Sequence, residues 1–257
     1  MTSKVNLNCD MAEGFGAYDI GADSALLDVV KSANVACGFH AGDWNVMDRV
    51  CREAKAKGVS IGAHPGFNDL WGFGRRQIKT SPGDIERMCI YQIGALQAIG
   101  TANGIKVTHF KAHGALGNMS AVDIDYARAI GRAIKAVDPS IIFLAPIASQ
   151  LVVAGEELGL TVAHEVFADR TYTDVGELTP RSQPNAMVHD ADEAVERVVR
   201  MIKDQAVVST SGKVIPCKVH SICVHGDEPT AVAVATSVRD AILAAGVAVV
   251  PLTEMDL

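Results

Sequence analysis

The chain is short of positive charge: 23 lysines and arginines stand against 30 aspartates and glutamates in 257 residues, a formal net charge of −7. A general nucleic-acid binder needs a basic footprint, so no nucleic-acid partner is expected. Long apolar runs are missing too. The longest, Ile141 to Ala148 and Ala241 to Leu252, fall well short of the ~18 residues that cross a bilayer, and no membrane partner is expected. The amino end, Met1-Thr2-Ser3-Lys4, runs straight into an alternating pattern without the apolar stretch and small-residue cleavage site of a secretory signal. A cytoplasmic protein is expected. Cys9, Cys37, Cys51, Cys89, Cys217 and Cys223 form no C-x-x-C pair and no zinc-type spacing, so they read as reduced thiols, mostly small buried hydrophobes. Neither a G-x-x-x-x-G-K-[ST] loop nor a G-x-G-x-x-G turn after a strand occurs, so residue spacing alone marks no nucleotide site. No Pro/Ser-rich linker, repeat or low-complexity tract divides the chain, and residues 1–257 read as one domain.

What is present is an ordinary globular composition, 49% apolar and 21% charged, enough to bury a sizeable core. Val5 to Cys9 alternates strictly, and Ala33 to Phe39, Val59 to Ala63, Ile105 to Ala112, Ser140 to Ala145, Leu160 to Phe167, Val219 to Val224 and Val247 to Pro251 also read as strands. Helical segments lie between them. Asp43 is placed to cap one that ends at Gly58, and Ser81-Pro82 opens another. Asp190 with Glu193 resembles a capping box, and a last helix starts near Pro229 and stops before Gly246. This βαβα alternation predicts a parallel sheet of seven or eight strands with helices outside it, closed as a barrel or open and doubly wound. The longer stretches Gly66 to Thr80 and Arg170 to Met187 follow strands directly, where parallel α/β folds place functional loops.

The strand faces carry the main functional signal. Val5, Leu7 and Cys9 share one face of the first strand, while Asn6, Asn8 and Asp10 share the other. In a closed barrel the apolar face meets the helices, which turns two asparagines and an aspartate inward where branched aliphatics are usual. The same alternation groups Asn34, Ala36, Gly38 and His40, and then His109, Lys111 and His113. His64 ends the third strand, Asp169 and Arg170 follow the sixth, and His225 and Asp227 follow the seventh. Unpaired burial of such groups costs several kcal/mol each by transfer estimates, so they must bond one another, water or a ligand. A functional pocket is expected at the carboxyl ends of the strands.

These residues also resemble a known family, LamB/YcsF, described as the A component of an ATP-dependent 5-oxoprolinase. The matching segments include Asn6-Leu7-Asn8-Cys9-Asp10-Met11-Ala12-Glu13-Gly14-Phe15-Gly16, Ala33 to Asp43, Gly62-Ala63-His64-Pro65-Gly66 and Gly72-Phe73-Gly74-Arg75-Arg76. Tyr91 to Leu96, Lys111 to Leu116, Phe167-Ala168-Asp169-Arg170 and Ile222 to Asp227 complete the series. They run end to end in the family's order. The chain departs from the family's usual Gly at Ala12, Pro at Ala112 and Tyr at Gly117. Loss of that tyrosine enlarges or wets the nearby site, which bears on substrate choice. The resemblance implies a distorted seven- or eight-stranded (β/α) barrel similar to glycoside hydrolases and polysaccharide deacetylases. It implies a cyclic-amide hydrolase that opens the small lactam 5-oxoproline to glutamate with ATP and Mg²⁺, together with B- and C-type partner subunits; a homo-oligomer is compatible with it.

A five-membered lactam is a resonance-stabilised amide with a poorly electrophilic carbonyl, so its hydrolysis gains from activation. Such a site needs cations, carboxylates and shelter from bulk water. Asp10 and Glu13, three apart on a turn with Gly14 and Gly16, are candidates to hold Mg²⁺ or orient a water. Lys111 is a candidate to neutralise an anion or to pair with Asp10 or Asp169. His40, His64 and His113 are candidate acid/base groups or carbonyl donors. No tightly bound metal is expected, Asp10, His40 and His64 being the residues that one would take. Asn8, Asp169, Arg170, His225 and Asp227 are candidates for binding substrate or phosphate. His109 reads as structural, and His164, His189 and His220 show no functional partner. Two other functions fit the pattern: a metal-dependent amide or N-acetyl-sugar hydrolase, and a non-catalytic lactam-binding component.

Overall fold

In the computed structural model, which describes residues 4–188, 190–224 and 230–257, the polar-in, apolar-out alternation of the first strand is realised in a closed barrel. The strands in chain order are β1 (Lys4–Met11), β2 (Ser32–Ala36), β3 (Ser60–His64), β4 (Val107–Phe110), β5 (Ile142–Pro146), β6 (Val162–Phe167), β7 (Ala206–Val208), β8 (Val214–Pro216), β9 (Ser221–Val224) and β10 (Ala248–Val249). The helices are α1 (Asp23–Leu26), α2 (Trp44–Lys57), α3 (Pro82–Asn103), α4 (Gly114–Val122), α5 (Ile124–Val137), α6 (Gln150–Glu157), α7 (Ala191–Asp204) and α8 (Ala231–Ala244). Strands β1 to β6 pair in sequence, β6 pairs with β9, and β9 returns to β1, all parallel. Seven strands therefore close the ring.

The eighth expected strand, Val247 to Pro251, is not a stave of this ring. It shortens to β10, which lies beside the amino end of β1 through Lys4↔Ala248 and Val5↔Val249. A β7–β8 antiparallel hairpin between α7 and β9 has no counterpart among the expected strands. Several strands are also shorter than their apolar patterns. β2 stops at Ala36 and β4 at Phe110, so His40, Lys111 and His113 lie beyond the strand ends, with the Lys111 and His113 N–H groups still donating to the Ala63 and Pro65 carbonyls at 3.0 and 2.8 Å.

Helix ends follow their chemistry. The Asp43 carboxylate accepts from the N–H groups of Asn45 and Val46 at 2.8 and 2.9 Å, and Gly58 closes α2 at φ 66°. Ser81 accepts from Asp84 N–H ahead of Pro82, and Asp190 accepts from Glu193 N–H. The start expected near Pro229 lies outside the described residues; α8 is seen from Ala231. Val5, Leu7 and Cys9 join Val50, Cys51, Ala54, Val238 and Ile242 in one buried apolar cluster, the layer between barrel and helices. Among the described residues, no helix is long and apolar enough to cross a membrane.

Candidate functional site

The interior of the barrel is a hydrogen-bonded polar column. At its base, Asn6 donates to Ser32 Oγ at 2.9 Å and to the Val250 carbonyl at 2.7 Å, and Ser221 Oγ donates back to Asn6 at 2.7 Å. One layer up, Asn8 donates to Ser221 Oγ at 2.7 Å, to Glu165 Oε1 at 3.0 Å and to the Ile222 carbonyl at 3.2 Å. Asn34 then bridges Asn8 Oδ1 at 2.7 Å and Asp10 Oδ1 at 2.8 Å. His109 packs beside this layer, its Nε2 3.0 Å from Asn34 Oδ1 and its Nδ1 3.0 Å from Thr108. Its ring occupies the space that a side chain at Gly62 would need, since an added Cβ there would lie 2.1 Å from it. Every one of these buried amides has partners, which is what makes a polar core tolerable.

Lys111 crowns the column. Its Nζ lies 2.9 Å from Asp10 Oδ1, 3.1 Å from Glu165 Oε1 and 3.0 Å from Cys223 Sγ. Burial alone would pull the ammonium down, but Asp10, Cys223 and Glu165 together hold its pKa well above the ordinary lysine value. Burial raises the Glu165 pKa, with Lys111 opposing. Burial also raises the thiols of Cys9, Cys37, Cys51, Cys89, Cys217 and Cys223, so none has the depressed pKa of a reactive nucleophile.

Above this floor the ends of β1 and β3 and the turns after β2 and β4 bring a carboxylate and three imidazoles together. Glu13 Oε1 lies 3.3 Å from His40 Nε2 and 3.4 Å from His113 Nδ1, and His113 Nδ1 lies 3.0 Å from His64 Nε2. Each of these four side chains offers one donor atom to a group within 4.8 Å of one another. Asp10 adjoins it, Oδ2 3.3 Å from His64 Nε2. His40 stacks flat on His113 with ring centroids 3.6 Å apart and 6° between planes. Burial, then the neighbouring His64, hold the His40 pKa well below the usual value; burial, then His40 and His64, do the same for His113. These two imidazoles are neutral at pH 7.

A cleft opens over these groups. It is lined at its base by Asp10, Glu13, His64, Lys111, His113 and Glu165, and on its walls by Phe73, Arg75, Gly117, Asn118, Phe167, Arg170 and Arg181. Gly117, on α4, belongs to the wall, as the missing tyrosine suggests. The expected carboxyl-end pocket thus unites Asp10, Glu13, His64, Lys111 and His113. His40 is wholly buried behind them.

Other candidates lie differently. Asn8 is buried below the floor and is committed to the column, so its expected contact with a ligand is replaced by a scaffold role. Arg170 lines the cleft, but its Nε and Nη2 turn to the Ala186 and Thr179 carbonyls at 3.3 and 2.7 Å. These two bonds tie it to the loop after β6. Burial, with Arg181 nearby, lowers its pKa to about 10. Asp169 is half-buried, and its carbonyl accepts from Val188 N–H at 2.8 Å; it is not part of the lining. The pairing offered for Lys111 with Asp169 is made with Glu165 instead. His225, Asp227 and His189 lie outside the described residues. His164 and His220 pack edge to face, centroids 5.2 Å apart, outside this cleft lining.

Sequence reasoning missed Glu165, Arg75 and Arg181. Glu165 had a signal: a carboxylate in the middle of an apolar strand run must find a buried partner. Arg75 and Arg181 are exposed on irregular loops, where no periodicity exists to point a side chain.

Comparison with known proteins matches this architecture. The LamB/YcsF family matches residues 5–257. A protein of Rhodopseudomonas palustris (strain BisB5), named as the A subunit of 5-oxoprolinase, is 54% identical over 249 residues, covering 96% of this chain and 98% of its own. The crystal structure of a lactam utilization protein from Thermus thermophilus is 40% identical, superposes with a TM-score of 0.92, and covers 96% of this chain and 99% of its own. Dispersin B, 13% identical with a TM-score of 0.50 over 95% of this chain and 99% of its own, shares the fold alone. The full-length match and the high identity establish that the chain belongs to the LamB/YcsF family.

Proposed function

We propose that this chain is the A-type subunit of an ATP-dependent 5-oxoprolinase, working with B- and C-type subunits in the cytoplasm to hydrolyse 5-oxoproline to glutamate. The carrying observation is a single cleft that gathers Asp10, His64, His113 and Lys111 at its base and Arg75 and Arg181 on its walls, in a chain so close to proteins named as 5-oxoprolinase A subunits. Charge fits an anionic nucleotide: both guanidinium groups line the cleft, as does Gly114 at the amino end of α4. ATP, when bound, would supply the phosphoryl group that makes the amide oxygen a leaving group. Magnesium fits the imidazole-rich cluster poorly, because it takes oxygen ligands.

The chain's own groups supply the rest. Arg75 and Arg181 receive anionic oxygens of the substrates at the cleft mouth. Asp10, fixed between Lys111 and His64, takes a proton from the water that attacks the ring carbon, and Lys111 offsets charge that builds beside it. Cleavage of the C–N bond leaves a nitrogen that must gain a proton, which Asp10 is placed to return from the attacking water, and a second water would then release the phosphate from carbon to leave the carboxylate. The experiment is phosphate release dependent on 5-oxoproline, measured with the complete set of subunits with and without this chain. Release is expected only when the chain is present; equal rates refute the reading.

A further inference from the structure

We propose that Glu13, His64 and His113 form a binding site for one divalent transition-metal ion of the zinc type, with His40 orienting Glu13 from behind. Backbone carbonyls fix where the imidazole hydrogens go. His64 Nδ1 lies 2.8 Å from the Lys111 carbonyl and His113 Nε2 lies 2.8 Å from the Phe73 carbonyl. A carbonyl only accepts, so each ring carries its hydrogen on that outer nitrogen. When each ring carries only that hydrogen, the inner nitrogens, His64 Nε2 and His113 Nδ1, present lone pairs to each other at 3.0 Å. Carboxylate oxygens close on the same point, Glu13 Oε1 at 3.4 Å from His113 and Asp10 Oδ2 at 3.3 Å from His64. Converging acceptors repel unless a cation sits among them.

The spacing suits a metal. With ligand bonds of about 2.1 Å, the edge of a tetrahedron is about 3.4 Å, and the 3.0 and 3.4 Å separations approach it. Backbone carbonyls behind both rings are the outer-shell partners that fix metal-bound histidines. Two imidazoles with one carboxylate, all three lining the cleft, leave a coordination position open toward it. That donor set suits zinc, cobalt or a similar ion and not magnesium or calcium.

His40 has a different part. Its ring is parallel to that of His113 at 3.6 Å, and two parallel rings cannot both aim an in-plane lone pair at one ion. It is also absent from the cleft lining. Its Nε2, 3.3 Å from Glu13 Oε1, is placed to hold the carboxylate in position. The site does not depend on the 5-oxoprolinase reading, since it is inferred from the donor atoms alone.

The test is a titration of the full chain, stripped with a chelator, using Co²⁺ as the probe. One Co²⁺ per chain is expected, with the visible absorption of a low-symmetry site, displaced by Zn²⁺ and unaffected by excess Mg²⁺. His64→Ala and His113→Ala should weaken binding by about 100-fold or more. His40→Phe should keep the one-ion stoichiometry with about 10- to 100-fold weaker binding. His220→Asn should change nothing, which controls for adventitious histidine binding. Should an alanine variant fail to fold, Glu13→Gln, close in shape, carries the same expectation of a weakened, altered spectrum. Absence of Co²⁺ binding by the folded parent chain, displacement by Mg²⁺, or an unaltered spectrum in Glu13→Gln overturns the proposal. Because the readout is metal binding by this chain alone, its failure is distinct from loss of lactam hydrolysis.

Discussion

Replacing Lys111 by Met keeps the length of the side chain and removes its charge, which tests whether the floor of the cleft is held electrostatically. The ammonium sits 2.9 Å from Asp10 and 3.1 Å from Glu165, and the three side chains are 6%, 13% and 0% exposed. With the cation gone, two carboxylates share a dry site. Removing one partner of a buried ion pair costs about 3–5 kcal/mol, and the low exposure leaves little room for solvent to soften it. The variant can recover part of this by protonating Glu165, whose pKa burial already raises. Its deficit relative to the parent should therefore be largest near pH 8 and shrink toward pH 5, as the folded variant holds a proton that its unfolded chain has lost. Glu165→Gln keeps the hydrogen bonding and should cost less. The double variant should cost less than the sum of the singles by about 1.5 kcal/mol or more. Urea unfolding followed by circular dichroism at several pH values measures all of this. A Lys111→Met deficit under about 1 kcal/mol at pH 8, or one that grows on acidification, would refute the reasoning.

Two further outcomes follow from the interior. His109 is fully buried, and burial, then Lys111 and His64, lower its pKa to about 3; in the unfolded chain it titrates near 6.5. Its folded value is the lower one, so its stabilising contribution is complete above pH 6.5 and is lost as pH falls toward 3. It amounts to about 5 kcal/mol in all, read as a shallower acid limb in the unfolding of His109→Gln than of the parent. Gly62→Ala would place a methyl 2.1 Å from the His109 ring. A loss of about 3 kcal/mol or more is expected in thermal unfolding, and a stability equal to the parent's would mean that the ring has other room.

The period of two in Val5 to Asp10 carries most of what can be foreseen. A strand that is apolar on one face and amide-lined on the other gives, once the sheet closes, a barrel whose interior is polar, and Asn6, Asn8 and Asp10 lie there. The same logic reaches His64 and Lys111, which stand at or just beyond strand ends. It is less able to tell a wall from a staple: alternation puts Arg170 at the cleft, but the direction of its guanidinium depends on carbonyls of residues 179 and 186, brought near only by the folded loop. Cluster membership is legible for the histidines one by one, whereas the closeness of Glu13 to both His40 and His113 is a property of turns that have no period. The end of β2 is overrun for a related reason, since apolar residues continue past Ala36, where the strand stops.

The amide column has a consequence for how the staves find their alignment. A barrel filled with interchangeable aliphatics tolerates a strand sliding by two residues, because one branched side chain replaces another of similar bulk. Here Asn34 must meet both Asn8 and Asp10, and Asn8 must meet both Ser221 and Glu165. A slipped stave would strand several donors at once without water to receive them. The same amides that carry the acid and ammonium groups at the top thus act as a key that admits one alignment, tying the uniqueness of the native assembly to the chemistry it supports.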